Sequence, residues 1–309
     1  MTRRTLVALY APADRPERFG KALDAGADAV IVDLEDAVTL SRKAQARAAL
    51  GDFAAAWTER GESAPTVQVR INARGAAAHD EDLAAVADLP ASFGIRLPKT
   101  ESADDVAAIR SALPGRDVHA LLESALSIER AFEIASAGVS SIAAGEADLR
   151  AELNVPAGPA GEPGMAWSRA RIVNAAAAAG LPLPLMAVWA DVADLDGLEQ
   201  SCRAGRALGY AGRTAIHPRQ IAVIRRVFTP DAEEVARAQR IVERVRAAAA
   251  DGTGAFVLED GTFIDVAMVR AAQRVLAAAG HPRDRGGRSS VPLSQRSSPS
   301  SPPGRGGGG

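Results

Sequence analysis

The sequence predicts an α/β protein built as a (β/α)8 TIM barrel, and three observations carry that expectation. Short β-rich runs alternate with helical stretches of about 10 to 20 residues along most of the chain, the pattern of parallel strands joined by crossover helices. Such units can be counted eight times before residue 228. No Gly-x-Gly-x-x-Gly follows the first strand, which argues against an open dinucleotide-binding sheet.

The first strand is read over 5–11, with Asp14 capping a helix that carries Phe19, Ala22 and Leu23 on one face. The second, 29–34, is apolar on both faces, as a buried parallel strand must be, and ends in Glu35-Asp36. Ser41 opens a long helix through Trp57. The third strand, 66–71, carries Arg70 and leads to a short helix over 79–87. The fourth, 93–97, ends in Pro98-Lys99, and its helix from Ser102 stops at Pro114-Gly115. The fifth, 118–122, ends in Glu123, with a helix from Ser127 to about Gly138. The sixth, 141–144, leads to Asp148, and the Pro/Gly-rich stretch 150–164 reads as a loop. A helix over 166–179 follows, then a seventh strand, 185–190, ending in Asp191, and a helix over 195–208. The eighth strand, 212–216, ends in His217-Pro218.

The barrel is assigned to residues 1–228. Residues 229–282 form an appendage, a lid or an oligomer contact, with helices over 231–250 and 266–279 and a hairpin signal at Asp260-Gly261. From 283 to 309 the composition turns to Gly, Ser, Pro and Arg, which leaves nothing to bury, so a disordered tail is expected. The net charge of −2 gives no reason to expect nucleic acid or an anionic membrane as partner. The first apolar run breaks at Pro12 and Asp14, too short for a leader or a membrane span. Cys202, the only cysteine, permits no internal disulfide and is expected to be buried. These features together point to a cytoplasmic protein.

Barrels place their chemistry at the C-terminal ends of the strands. Here those ends supply Glu35 and Asp36, Arg70, Lys99, Glu123, Asp148, Asp191 and His217, so seven of the eight carry an ionisable group. Glu123 and Asp148 belong to adjacent strands, which stand about 4.8 Å apart. Two carboxylates at that spacing either share a Mg²⁺ that keeps water in its other positions, or cap helices. No His or Cys cluster offers a zinc site. Arg70, between apolar neighbours, needs an anion: Glu35 or Asp36, or a substrate carboxylate held by its fork. His217 either caps the next helix or takes part in catalysis. Lys99 stands where other barrels form Schiff bases, a role that a metal pair makes redundant.

The segments "DRPERFGKALDAGADAVIVDLEDAV", "VRIN", "LPKTES", "LLES", "GYAGRTAIHPRQI", "FTPDAEEVARA" and "GTFIDVAMVRAA" occur in that order from about residue 5 to about residue 279. Through them the chain resembles the citrate lyase β-subunit-like branch of the HpcH/HpaI aldolase superfamily. That resemblance implies a Mg²⁺-dependent carbon–carbon lyase. Its substrates would be 3-hydroxyacyl-CoA thioesters of citryl, malyl or citramalyl type, split into an acyl-CoA and a 2-oxo acid. It also implies Glu123 and Asp148 as metal ligands, with Glu123 and Arg70 at the substrate. Glu35 and Asp36 would orient Arg70, Asp265 would supply an acid/base group in a neighbouring subunit's site, and the assembly would be a trimer or a multiple of one. A CoA-independent pyruvate-type aldolase, a malyl-CoA thioesterase and a silent ligand-binding paralogue are the alternatives. The chain departs from the family pattern at Tyr10-Ala11-Pro12-Ala13, Glu146-Ala147-Asp148, Trp189-Ala190-Asp191 and Arg213, without losing either metal ligand.

Overall fold

Eight parallel strands follow one another around a nearly closed barrel in the computed structural model, which describes residues 4–250, 256–257, 263–264 and 266–279. The strands are β1 (Val7–Pro12), β2 (Ala29–Asp33), β3 (Thr66–Arg70), β4 (Gly94–Leu97), β5 (Val118–Leu122), β6 (Ser141–Ala144), β7 (Leu185–Met186) and β8 (Gly212–Ala215). Their hydrogen-bonded order is β6-β5-β4-β3-β2-β1-β8-β7, so the seam without a ladder lies between β6 and β7.

Strand alternation sorts the side chains into two layers. Val7, Leu9, Val30, Val32, Val67, Val69 and Ile95 belong to the main core. Their neighbours in sequence point the other way, where Ala8, Ala29 and Ile31 form a separate small cluster with Tyr10 and Leu185. In register, Tyr10 lies beside Ile31, Asp33 beside Arg70, Arg70 beside Arg96, and Arg96 beside His119. The barrel interior is therefore apolar and small at one level and strongly polar at the next.

The crossover helices are α1 (Phe19–Leu23), α2 (Lys43–Ala48), α3 (Leu50–Thr58), α4 (His79–Ala87), α5 (Ala103–Ala112), α6 (Ala125–Glu129), α7 (Ala131–Ser136), α8 (Glu146–Glu152), α9 (Glu162–Ala178), α10 (Leu195–Leu208) and α11 (Pro218–Phe228). Phe19 of α1 and Phe53 of α3 meet edge to face at 5.1 Å, and Trp57 of α3 meets Phe93 at 5.0 Å. Such pairs add about 1 kcal/mol each beyond their buried area. Ser102 caps α5 with a full capping box through Asp105.

Several expectations change. Asp14 does not cap a helix; its carboxylate pairs with Arg42 at 3.0 Å, tying the loop after β1 to the segment after β2. The helix expected from Ser41 to Trp57 is divided at Ala49. The helix after β5 begins at Ala125, capped by Ser124, rather than at Ser127. The stretch 150–164 is not all loop, because α8 extends to Glu152 and α9 begins at Glu162. The seventh strand has two residues, not six. Pro182 and Pro184 remove ladder donors before it. After it, side chains take the backbone acceptors: Arg213 Nε–H donates to Ala187 O at 2.9 Å and Gln220 to Trp189 O at 2.8 Å.

The chain divides into two units at Pro230 and Asp231. In the second, α12 (Ala232–Ala250) and α13 (Val266–Ala278) pair through Ala238, Ile241 and Ala272. Strands β9 (Phe256–Val257) and β10 (Phe263–Ile264) pair antiparallel. The Asp260-Gly261 turn and the tail 283–309 lie outside the described residues. No helix among the described residues is long and apolar enough to cross a membrane.

Gly212 is a point of close approach, where any Cβ would overlap the backbone of Leu6 on the neighbouring chain segment. Backbone cannot swing aside, so Gly212→Ala is expected to destabilise the barrel by about 2–3 kcal/mol. Gly51, inside α3 with open space around it, provides the contrast. Gly51→Ala should stabilise by up to about 1 kcal/mol, and denaturant titration of both variants checks the pair.

Candidate active site

A cavity of about 760 Å³ opens at the C-terminal ends of the barrel strands, lined among others by Tyr10, Asp33, Asp36, Arg70, Arg96, Glu123, Asp148 and Asp191. Its floor is built on β2 and β3. Asp33 and Arg70 are register partners on the interior face, and their side chains form a bidentate pair. Arg70 Nε–H donates to Asp33 Oδ1 at 2.8 Å and Nη2–H to Asp33 Oδ2 at 2.6 Å. The remaining nitrogen, Nη1, lies 2.8 Å from Glu35 Oε2 and donates to Asp36 Oδ2 at 3.2 Å. The face of the Tyr10 ring covers the guanidinium, with Cζ 4.8 Å from the ring centroid. The loop carrying Glu35 is itself pinned by buried Lys43, whose ammonium donates to Leu34 O at 2.7 Å and Glu35 O at 2.8 Å.

Glu123 and Asp148 face the same space from β5 and α8, and both also line a smaller recess of about 170 Å³ with Lys99, Glu101, Ser124 and Glu152. Lys99 touches both acids. Its backbone, in the left-handed region at φ 48°, turns the N–H onto Glu123 Oε2 at 2.9 Å. Its ammonium pairs with Asp148 Oδ2 at 3.6 Å. Glu123 can stand against the end of β6 because residue 145 is glycine; a Cβ there would overlap the Glu123 carboxylate. The second oxygen, Glu123 Oε1, accepts no hydrogen bond among the described residues.

Glu146, two positions before Asp148, has a different task. It is 8% exposed and held bidentate by Arg169, Nε–H to Oε1 at 2.8 Å and Nη2–H to Oε2 at 2.6 Å. Glu162 completes the cluster, accepting from Arg169 Nη1–H at 2.7 Å and from Arg150 Nη2–H at 2.6 Å. Arg150 Nη1–H reaches on to Pro156 O at 3.0 Å. Each charge is matched, so this cluster anchors α8 and the loop after it against α9, while Asp148 projects from α8 with its side chain 51% exposed.

The acids around Arg70 are less well compensated. Burial, opposed by Arg70 and reinforced by Asp36, Glu123 and Asp33, pushes the Glu35 carboxyl up to about 8. Burial likewise pushes Glu123 up to about 7, against the Lys99 N–H and Arg70, with Asp148 and Asp36 adding to the rise. Glu35 Oε2 sits within ion-pair range of Arg70, but it is buried without a hydrogen-bond donor. Crowded carboxylates with unused lone pairs are the surroundings a cation relieves. Among the described residues no three His, Cys, Asp or Glu side chains converge as a metal cage. The donor set is the oxygen-only pair Glu123 and Asp148, which suits a hard cation that keeps several waters.

The structure thus brings together Glu35, Asp36, Arg70, Glu123 and Asp148, five of the six residues singled out from the sequence as site residues. Asp265 lies outside the described residues. His217 caps α11, its Nδ1 accepting the Arg219 N–H at 3.1 Å. Cys202 is buried beside Arg213. Asp33, Tyr10, Arg96 and the Glu146–Arg169 pair were not singled out. Strand periodicity marks the first of these: Asp33 falls in phase with Ala29 and Ile31, facing the interior rather than the helices. Nothing comparable marks Arg169, which meets Glu146 across 23 residues of sequence.

Comparison with known proteins gives a consistent picture. The model of the HpcH/HpaI aldolase/citrate lyase family matches residues 6–218. A citrate lyase subunit beta-like protein of Mycobacterium tuberculosis is 39% identical over 277 residues, covering 88% of this chain and 94% of its own. A (3S)-malyl-CoA thioesterase of Cereibacter sphaeroides is 32% identical over 284 residues, with 88% and 93% covered. Among solved structures, the CitE protein of Mycobacterium tuberculosis in complex with magnesium, acetoacetate and coenzyme A superposes with a TM-score of 0.75 at 37% identity, covering 90% of this chain and 98% of that one. The barrel, the acid-rich mouth and these likenesses together place the chain in the HpcH/HpaI aldolase/citrate lyase family.

Proposed function

We propose that the protein is a Mg²⁺-dependent carbon–carbon lyase that splits a 3-hydroxyacyl-CoA thioester into an acyl-CoA and a 2-oxo acid. The observation that carries this reading is the carboxylate pair Glu123 and Asp148 lining one cavity with Arg70, with buried Glu123 pushed up to about 7. Support comes from the CitE structure holding magnesium and coenzyme A, and from the lyase description of the family.

Glu123 and Asp148 would hold the metal, with Glu123 also next to the substrate. When bound, Mg²⁺ acts as a Lewis acid on the oxygen that changes from hydroxyl to carbonyl. The carboxylate of the oxo-acid half would meet Arg70 at the one N–H, on Nη2, that Asp33, Glu35 and Asp36 leave unfilled. Asp33 fixes the plane of the guanidinium, and Glu35 and Asp36 set the position of Nη1. Lys99 fixes Glu123 through its backbone N–H. In the cleavage direction a base accepts the carbinol O–H proton, to return it later to the enolate carbon, and the bond between the carbinol carbon and the thioester α-carbon breaks. The electron pair passes to the thioester as an enolate, whose carbon then takes a proton. Asp265 is proposed as the group that delivers or receives that proton across a subunit boundary, in a cytoplasmic trimer or a multiple of one.

Purified protein with Mg²⁺ and a panel of malyl-, citramalyl- and citryl-CoA should release acyl-CoA and oxo acid from one of them, followed by chromatography of the CoA products. Release of free CoA without an oxo acid would point instead to a thioesterase. Glu123→Ala and Asp148→Ala should each cut the rate by more than ~100-fold; a variant at wild-type rate with unchanged metal dependence would remove that residue from the metal site.

The raised acids give a second test that needs no turnover. A carboxyl whose folded value lies above its unfolded one keeps its proton longer in the folded state. Its stabilisation is complete below about 4.5 and is lost as pH rises through about 7 for Glu123 and about 8 for Glu35. Buried His119, lowered to about 3, acts oppositely, gaining stability between about 3 and 6.5. Above that range the shifts given for Glu123 and Glu35 are the ones that act among the described residues. Metal-free protein should therefore melt lower at pH 8 than at pH 6.5, and Mg²⁺ should raise the melting temperature more at pH 8. Glu123→Gln should flatten both trends in calorimetry. An equal Mg²⁺ shift at the two pH values would contradict the carboxylate assignment.

A further inference from the structure

Lys99 touches both of the acids assigned to the metal, and its two contacts are of different kinds. Its backbone N–H donates to Glu123 Oε2 at 2.9 Å, and its ammonium stands 3.6 Å from Asp148 Oδ2. The first contact sets the position of Glu123 and asks nothing of the side chain. The second supplies a charge. Among the described residues Lys99 is the only cation in ion-pair range of Asp148, whose carboxylate accepts no hydrogen bond there, and no cation pairs with Glu123.

The backbone conformation isolates what the side chain adds. Lys99 lies at φ 48°, in the left-handed region that glycine enters freely and that a Cβ makes unfavourable. A glycine would deliver the same N–H to Glu123 without that strain. The ammonium is the part that a long cationic residue alone provides, and it ends on Asp148.

That ammonium reaches the acid pair from behind. Glu123 and Asp148 line both the cavity of about 760 Å³ and the recess of about 170 Å³, whereas Lys99 lines the recess together with Glu101 and Glu152. Burial opposes the Lys99 charge, but Asp148, Glu35, Glu123 and Asp36 favour it, and the balance raises its pKa. An ammonium and a dication on one carboxylate bring three positive charges together, so each weakens the hold of the other. The recess gives the ammonium room to leave. Glu101 is anchored there by the Ser124 hydroxyl at 2.6 Å and Glu152 by the Ala125 N–H at 3.0 Å, and each keeps its second oxygen open among the described residues.

We propose that Lys99 is the resident counter-ion of the Glu123–Asp148 pair, and that a divalent cation binds by displacing its ammonium from Asp148 into the recess. Lys99 then sets how tightly the site holds its ion. It compensates the acids in the metal-free protein and lowers their affinity for the metal. This inference rests on the assignment of Glu123 and Asp148 to the metal made above.

The test is calorimetric titration of the metal-free full chain with MgCl₂. Lys99→Met, which removes the charge and keeps a side chain of similar reach, should bind Mg²⁺ about 3- to 10-fold tighter than wild type, the range for removing one half-exposed neighbouring charge. Mg²⁺ should also raise the melting temperature more in Lys99→Met than in wild type. Lys99→Arg, which keeps the charge, should bind Mg²⁺ no tighter than wild type. Lys99→Gly loses the ammonium and keeps the N–H, so it should match Lys99→Met and replaces it if that variant fails to fold. Unchanged or weaker Mg²⁺ binding in Lys99→Met overturns the inference. So does Lys99→Arg binding as tightly as Lys99→Met, because shape rather than charge would then be at work. Either result leaves the metal assignment standing if Glu123→Ala abolishes the binding. Wild type that binds no Mg²⁺, or binding that survives Glu123→Ala, overturns the metal assignment and the inference with it.

Discussion

The bidentate pair between Asp33 and Arg70 is the interaction on which the rest of the site depends. Removing either partner would leave a full charge inside the barrel with little water to solvate it. The pair closes only when β2 and β3 are in register, because a slip of either strand by one residue would turn its side chain toward the helix layer. It therefore joins the fold to the chemistry. Once the guanidinium is fixed in plane, Nη1 can reach only the loop after β2, which brings Glu35 and Asp36 to the mouth. Lys43 holds the carbonyls of that loop from behind.

Two kinds of acid cluster result, separated by charge balance. Around Glu146 each carboxylate meets a guanidinium in hydrogen-bonding geometry, and the group serves as an anchor for α8. Around Glu123 and Glu35 burial outweighs the available positive charge, and both acids are pushed toward neutrality. The first arrangement needs nothing further. The second would be eased by a cation, which is why the pair Glu123 and Asp148 is proposed as the metal site and Glu146 is not. The exchange of small and acidic residues at 146 and 147 thus leaves Asp148 on the solvent-facing side of an anchored helix.

The cavity straddles the one place where the barrel lacks a ladder. Asp148 follows β6, and Trp189 and Asp191 follow β7, so the two elements beside the seam both line the mouth. Side chains rather than backbone hold this side together, with Arg213 and Gln220 bonded to carbonyls beyond β7. Substitution of these groups by a regular strand would close the barrel and narrow the opening. The arrangement trades sheet regularity for room at the functional end, as barrels with active loops at that end commonly do.

Much of this architecture was legible in the residues themselves. Alternation of apolar runs and helical stretches determined eight β/α units, because burial on both faces leaves a strand few other compositions. Ionisable residues at strand ends marked Glu35, Asp36, Arg70, Glu123 and Asp148 for the same reason: a charge closing an apolar run has to reach a mouth. Boundaries were less legible where side chains replaced backbone hydrogen bonds, as after Met186, or where a helix was divided, as at Ala49. Pairing was not legible at all. Whether an arginine is satisfied depends on which acid faces it across the interior. That is decided by strand register and by groups brought together from distant parts of the chain, such as Asp33 with Arg70 and Glu146 with Arg169. Arg96 looks no different from Arg70 in one dimension. Only the folded barrel shows that Arg70 bonds to the carboxylates of Asp33, Glu35 and Asp36 while Arg96 bonds to the neutral amide of Gln68, because electrostatic compensation is a property of distance in space.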